Sequence, residues 1–579
     1  MFGVMFLISG ATPSSDPERP SALDWILSAA GLGCGVFLAV NAEELLTRIP
    51  QLDELSGWAM GVGTVIVLLT LEATRRATGL GLLIVVLLFM AYNLLGHRLD
   101  GVIGHGYISV ADFVEITVFT TNGVFGVPVR VAASYAFLFV LFGTLLSRTG
   151  GGEFFFNFAA ALNGRRVGGP AKIAVISSGF YGMLSGSSVS DVVTTGSITI
   201  PMMRRMGYSS VFAAATEVSA STGGSLMPPV MGAAAFVMVE YTGIDYSRIA
   251  LAALIPALLY YLAVYAQVHL RALRYGLGGM PADQIPTFRK TMADGWVFVI
   301  PLGVLVAALV AEYTPTYVAL FGSAAVLVVS ALRYRKSGLT LGLIYDVLAE
   351  TTWRVIAVAG ACAAAGMVIG GLTLTGLAQK FAHLIYGLTD SSLLPTLLIA
   401  AGLTLVLGLG MPTVSAYILA AVLVGPVLNE LGVNILAAHM FILYFAVLSA
   451  ITPPVAVAAY AAAAIADDNP LAISVAAVRL AIVAFVIPFA FVYGPELLLV
   501  GTALEIVFAT ATAVAGIVLL AIAVEGFLKR PLGVPSRLLF AAGGACFIFP
   551  SWHSALAGIA ILLLIGVYTL ARPKKRDAA

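Results

Sequence analysis

The feature that most constrains this chain is a set of helix-breaking positions that occurs twice at one spacing. Ser185-Gly186-Ser187-Ser188 is followed by Pro201, Gly207 and Pro228-Pro229, and Gly410-Met411-Pro412-Thr413 is followed by Pro426, Gly432 and Pro453-Pro454. One offset of 225 residues (426 − 201, 432 − 207, 453 − 228, 454 − 229) carries the first set of later positions onto the second, and it also carries Ser190 onto Ser415. Proline lacks the N–H that a helix interior needs, and glycine turns readily into left-handed backbone, so each tract interrupts a helix. A single break in apolar sequence is ordinary, because membrane helices tolerate Gly and Pro for kinks and close packing. Four breaks at a common offset instead describe a fold of two similar halves, each carrying an interrupted helix near membrane depth.

Composition sets the solvent around those breaks. Of the 579 residues, 60% are apolar and 10% charged, too little charge to cover a soluble protein of this size. Apolar stretches at 79–95, 132–146, 251–266 and 555–570 approach the roughly 20 residues that span a bilayer. A net charge of +1 gives no support for nucleic-acid binding. Cys34, Cys362 and Cys546 have no C-x-x-C spacing, which supports neither a disulfide framework nor a zinc site. The apolar start at 1–8 runs into a polar tract at 11–20 without a basic segment, so it does not read as a signal peptide and targeting falls to the spans.

Charge gives the topology. Basic clusters occur at Arg75-Arg76, at Arg148, Arg165, Arg166 and Lys172, at Arg204-Arg205, at Arg271, Arg274, Arg289 and Lys290, at Arg333, Arg335 and Lys336, at Lys529-Arg530, and at Arg572, Lys574, Lys575 and Arg576. Placing all of them in the cytoplasm demands an even number of crossings between neighbours, and the apolar segments allow it with about 14 crossings. The segment 171–184 has 14 residues, about 21 Å as a helix and short of a core of about 30 Å, and 189–203 is as short. Both outer ends carry bases, so the pair predicts a re-entrant hairpin at about 170–206 with its tip at Gly186-Ser187. The second hairpin, at about 392–430, is flanked by Asp390 and Glu430 and belongs on the opposite face. The halves are therefore inverted, the arrangement of an alternating-access carrier.

Each break exposes carbonyls at the end of one half-helix and N–H groups at the start of the next. Carbonyl ends with hydroxyl oxygens suit a small hard cation such as Na⁺, and N–H ends suit an anion. The first cation site is expected from Ser185, Gly186 and Ser188 with Ser221 and Gly224, and its inverted partner from Gly408 and Gly410 with Ser449 and Thr452. Ser187, Ser188, Thr222, Pro412, Thr413 and Thr452 are the expected substrate contacts, while Thr194, Thr195 and Ser415 are weaker candidates because intrahelical back-bonding also accounts for them. Asp191 and Glu217 are the ionisable groups of the region. Each is a possible proton carrier, one half of an ion pair with Arg204 or Arg205, or a carboxylate near the interface. Asp467-Asp468-Asn469 reads as a solvated turn capping a helix that starts near Pro470, and His97 and His105 as interfacial rather than metal-binding.

These residues resemble a known family. Gly168-Gly169-Pro170-Ala171-Lys172, Ser185-Gly186-Ser187-Ser188-Val189, Thr194-Thr195-Gly196-Ser197 and the run from Ala220 through Gly232 are similar to the large membrane subunit of tripartite ATP-independent periplasmic (TRAP) transporters. Gly410-Met411-Pro412 and Thr452-Pro453-Pro454 are similar to the second repeat of the TAXI subclass, whose small and large membrane subunits are fused. The likeness runs from about Phe125 to Tyr493, with 1–97 similar to the small subunit in hydropathy and position only.

The resemblance implies an all-α polytopic membrane protein, an inverted-repeat elevator-type transporter with two re-entrant hairpins and two unwound helices. It divides the chain into small-subunit-like helices at 1–125, a transport core at 126–499 and additional helices with a basic tail at 500–579. It further implies organic-acid uptake across a bacterial or archaeal cytoplasmic membrane, a periplasmic substrate-binding protein as partner, no cofactor beyond a coupling ion, and a monomeric permease. Na⁺ is the preferred ion, but Ser190-Asp191 departs from the Ala-Asn of the family pattern and keeps H⁺ open. A polytopic membrane enzyme is the competing class. Against it, none of the six histidines lies in H-E-x-x-H and Ser187 and Ser188 have no His or Lys nearby in sequence. A carrier acting without a binding protein is the other alternative.

Overall fold

Every extended element among the described residues of the computed structural model is a helix, and ten of them are long and apolar enough to cross a membrane, or up to eleven counting one bent pair as a span. The described residues are 1–11, 19–333, 340–549 and 551–571. Arg335, Lys336, Arg572, Lys574, Lys575, Arg576 and most of the polar tract at 11–20 lie outside them. Fewer long spans are present than the sequence suggests because several apolar helices are short: Ile482–Tyr493 and Val534–Ile548 fall among those of 10–17 residues.

The repeat is visible helix by helix. In the first half, α1 (Gly151–Asn163) leads to α2 (Gly169–Ser185), α3 (Ser188–Thr194), α4 (Gly196–Arg205), α5 (Ser210–Gly224) and α6 (Ala233–Thr242). In the second, α7 (Leu377–Leu388) leads to α8 (Leu393–Leu407), α9 (Thr413–Glu430), α10 (Ile435–Leu448) and α11 (Val457–Ala466), after which α12 (Pro470–Leu480) follows. The start of α3 and the end of α4 map onto the two ends of α9 at the offset of 225 (413 − 188, 430 − 205). Between α5 and α6 the chain is non-helical from 225 to 232, and between α10 and α11 it passes through a short 3₁₀ turn and then loses helix from 452 to 456. The Pro228-Pro229 and Pro453-Pro454 bonds are both cis. Just beyond them Met231 and Ala456, again 225 apart, take left-handed backbone with φ of 62° and 36°. Two non-glycine residues in that conformation at equivalent places show that the break has one geometry in both halves, which apolar side chains alone would not announce.

Two compact units divide the chain. One contains Gly150–Met231, Ser247–Val299 and Ile451–Ala579, and so α1–α5, α11 and α12. Within it α2 packs on α1, α4 and α5, and α11 packs on α3, α4 and α5. Residues 212–224 of α5 are all buried, and its alanines and glycines permit that close approach on every side. The other unit contains Met1–Thr149, Gly232–Tyr246 and Ile300–Ala450, and so α6–α10. There α9 packs on α7, α8 and α10, while α6 packs on α9 and α10. The half-helix beyond each break thus belongs to the unit that holds the other half's hairpin. Each unit is built from pieces of both repeats.

The turn between α11 and α12 bends the chain by 118°. Asn469 caps α12, its Oδ1 accepting from the N–H groups of Leu471 at 2.9 Å and Ala472 at 3.3 Å, as the sequence predicts. Ser210 donates to the Asp468 carboxylate and, with the Asn469 N–H, holds it below the usual carboxylate range.

Candidate functional site

The first hairpin tip is a turn made possible by Gly186, whose φ of 65° lets α2 end with its N–H on the Gly182 carbonyl at 2.9 Å. Ser187 then caps α3, and its own N–H is taken by Ser185 Oγ at 3.1 Å. Ser185 Oγ donates to the Asp191 carboxylate, so the hydroxyl that starts the turn is tied to the first turn of the next helix. The tip rests directly on the end of α5. Ser225 Oγ donates to the Gly186 carbonyl at 3.2 Å, and a Cβ placed on Gly182 would lie 2.7 Å from Gly224 Cα. Only two glycines facing one another allow the backbones that close.

The expected residues of this half are brought together in one unit. Ser185, Ser188, Ser221 and Gly224 lie on α2, α3 and α5, three helices packed on one another, with Gly186 in the turn between α2 and α3. Ser188 is buried, and its Oγ has no hydrogen-bond partner among the described residues, which leaves a polar atom available to a ligand. Ser187 is exposed at the tip. Thr222 Oγ1 donates to the Val218 carbonyl at 2.7 Å and Thr194 to that of Ser190 at 2.8 Å, the ordinary back-bonding within a helix.

Glu217 is fully buried, and its place corrects the ion-pair alternative. Four hydroxyls surround the carboxylate: Ser178 at 2.8 Å, Thr195 at 2.5 Å and Ser221 at 3.1 Å on Oε1, and Thr199 at 2.5 Å on Oε2. Arg204 instead donates to the Ala466 carbonyl at 3.0 Å, at the end of α11. Hydroxyls rather than a guanidinium face this acid because Arg204, five residues beyond Thr199 on α4, is engaged at the end of α11. Ser178 and Thr199 carry no motif signal. Thr199's only trace is spacing, four residues after Thr195 as Ser221 is four after Glu217, each pair on one helix face, and Ser178 leaves none. A buried carboxylate without a countercharge is costly unless a proton or a cation joins it.

In the second half Gly410 has φ of 72° and Pro412 precedes α9, where its missing N–H costs nothing. Gly408 meets Ser449: a Cβ on that glycine would lie 2.2 Å from Ser449 Oγ, which donates to the Gly408 carbonyl at 3.2 Å and to that of Ala446 at 2.7 Å. The hairpin therefore touches its broken helix here as it does in the first half. Gly408, Gly410, Pro412, Thr413 and Ser449 share one unit, whereas Thr452 belongs to the other. Ser415 Oγ donates to the Ala361 carbonyl at 3.1 Å. The halves differ in charge: the offset carries Asp191 and Glu217 onto Ala416 and Ile442. Among the described residues, no three His, Cys, Asp or Glu side chains are grouped so as to hold a metal ion. The second break supplies hydroxyl and carbonyl oxygens, and the first adds the Asp191 carboxylate.

The chain is also similar in sequence to known proteins. Residues 65–506 match the family described as the tripartite ATP-independent periplasmic transporter, DctM component. The chain is 25% identical over 334 residues to the isethionate TRAP transporter permease protein of Oleidesulfovibrio alaskensis, a match covering 57% of this chain and 51% of that one. It is 25% identical over 337 residues to the sialic acid TRAP transporter large permease protein of Vibrio cholerae, covering 57% and 76%. It is 28% identical over 326 residues to the C4-dicarboxylate TRAP transporter large permease protein of Pseudomonas aeruginosa, covering 55% and 73%. The chain thus spans about half the length of the isethionate relative. These relatives are named as permeases of transporters, not as enzymes.

Proposed function

This chain belongs to the family of the DctM component of TRAP transporters, and from that premise we propose that it is the permease of a binding-protein-dependent secondary transporter that takes up an organic acid with a coupling cation. One observation carries the reading. In both halves a hairpin tip meets the end of a broken helix at a contact only glycine permits, Gly182 on Gly224 and Gly408 on Ser449. Breaks of this kind, repeated and inverted, put carbonyl ends and N–H ends at membrane depth, where a carrier holds its ion and substrate.

Na⁺ is the coupling ion in this reading. It would be held by Ser185, Gly186, Ser188, Ser221 and Gly224 in the first half and by Gly408, Gly410, Ser449 and Thr452 in the second. The acid would be bound through Ser187, Ser188, Thr222, Pro412, Thr413 and Thr452. A second reading rests on Glu217, a buried carboxylate held only by hydroxyls, and on Asp191 at the tip: either could carry a proton instead. Exchange between the two sides would follow an elevator motion of a core spanning 126–499, with 1–125 standing for a fused small subunit as in the TAXI subclass. The named relatives' substrates, isethionate, sialic acid and C4-dicarboxylates, are all organic acids and support that class. The membrane would be the cytoplasmic membrane, the partner a periplasmic substrate-binding protein and the permease a monomer.

The test is uptake into proteoliposomes under an imposed cation gradient. Labelled organic acid should enter at a substantial rate only when the cognate binding protein is present outside. Full uptake of the free acid without any partner would remove the tripartite reading and leave a carrier that acts alone.

A further inference from the structure

Four arginines converge on the C-terminal end of one helix in the unit that holds α5 and α12. The helix Ala503–Glu525 ends there, and its last carbonyls are taken by Arg274 (Nη1 to Glu525 O, 2.7 Å), Arg479 (Nη2 to Val524 O, 2.7 Å) and Arg537 (Nε to Ala523 O, 2.8 Å). Arg271 lies 3.5 Å from the buried Glu525 carboxylate and stacks over the ring of Phe212, with its Cζ 4.5 Å from the centroid. A helix C-terminus carries about half a negative charge, and Glu525 adds one more. Four guanidinium groups therefore exceed the charge they face by roughly two and a half. The helix end explains where the arginines sit, but not their number.

A cavity of about 520 Å³ opens beside them, with Arg271, Arg479 and Glu525 among its lining residues. The rest of its wall is chiefly apolar and comes from the start of α5 and one face of α12, including Phe212, Leu471, Val475 and Leu480. Leu471 and Val475, four residues apart on α12, are 47% and 61% exposed. α12 leaves α11 at a bend of 118°, and the face carrying these two residues is outward. An oblique helix with exposed aliphatic residues and an arginine near its end is suited to the boundary of acyl chains and headgroups. Arg204-Arg205, Arg271, Arg274 and Lys529-Arg530 place the boundary on the cytoplasmic side.

We propose that this cavity is a binding site for an anionic phospholipid of the cytoplasmic leaflet, its phosphate held by Arg479 and Arg271 and one acyl chain lying along Leu471 and Val475. Charge complementarity selects the headgroup. Basic pockets between membrane helices on this side recruit anionic headgroups, and an acyl chain excludes water from an aliphatic wall. A free phosphate would use the arginines and leave the apolar wall wet, so the lipid is the occupant.

The full chain, purified in neutral detergent, tests this by thermal unfolding during titration with dioleoylphosphatidylglycerol, dioleoylphosphatidylcholine or inorganic phosphate. Phosphatidylglycerol should raise the unfolding midpoint saturably, and neither of the others should. Arg479→Gln should weaken the apparent phosphatidylglycerol affinity by about fivefold. Val475→Gln, at a position 61% exposed, should weaken it severalfold without touching a charge, its lipid-free unfolding midpoint checking the fold. The proposal is overturned if phosphatidylcholine or inorganic phosphate reproduces the shift, or if Val475→Gln leaves the phosphatidylglycerol affinity unchanged.

Discussion

Gly182→Ala is the perturbation that bears most directly on the contact between hairpin and broken helix. Its new methyl would stand 2.7 Å from Gly224 Cα and 2.8 Å from Asp191 Oδ2, and the reciprocal Gly224→Ala would stand 2.5 Å from Gly182 Cα. Carbon atoms prefer about 3.5–4.0 Å, so the tip must retreat from α5 by roughly 1 Å. The Asp191 carboxylate can turn aside, but Gly182 and Gly224 meet through backbone, which cannot. Overpacking of this kind costs about 1–3 kcal/mol. If the cation is held between tip and α5, the cost falls on the bound state and lowers its affinity about 5- to 150-fold. Gly408→Ala, 2.2 Å from Ser449 Oγ, should act in the same direction in the second half. Gly402→Ala is the control, because a Cβ there meets nothing within 4 Å and should change affinity by no more than about 0.5 kcal/mol. The assay is the cation concentration giving half-maximal uptake in proteoliposomes, with folding checked by the thermal midpoint. A folded Gly182→Ala protein with the cation dependence of Gly402→Ala would refute the placement of the cation at this contact.

Two further outcomes test the surroundings of the site. Glu217→Ala strips four hydroxyls of their shared acceptor and should lower stability by about 1–3 kcal/mol, whereas Glu217→Gln keeps an acceptor oxygen and should cost less. Equal unfolding midpoints for the two would contradict the hydroxyl cradle. If the hairpins are inverted as proposed, cysteines at Arg165 and Arg204 should be protected from an impermeant thiol reagent added outside whole cells, while cysteines at Asp390 and Glu430 should be labelled. Labelling of all four from one side would show that the repeats are not inverted.

The helix breaks were legible because proline and glycine act locally. Pro201, Gly207 and Pro228-Pro229 state the repeat before any coordinate is known, and α3–α4 and α9 end where the offset puts them. Asn469 was legible for the same reason, since capping depends on its immediate neighbours. What the sequence hid is non-local. Gly182 looks like any small residue in an apolar helix until Gly224 is set against it. Ser178 and Thr199 lack a motif, and only folding turns them toward Glu217. The exchange of half-helices between units leaves no mark in the chain, because α6 and α11 are as apolar as their neighbours. Arg271, Arg274, Arg479 and Arg537 are scattered over 267 residues (537 − 271, counted inclusively), so their meeting at one helix end could not be read from spacing.

The most direct test of the account is which gradient drives transport. Proteoliposomes containing the permease, with binding protein and labelled organic acid outside, would receive either an inward Na⁺ gradient at equal pH or an inward proton gradient in Na⁺-free buffer. Carbonyl-ended half-helices recur in both halves, whereas the acids occur in one, so the account predicts uptake that requires Na⁺ and survives Asp191→Asn. Uptake driven by the pH gradient without Na⁺, and abolished by Asp191→Asn, would contradict it and make the first hairpin a proton site.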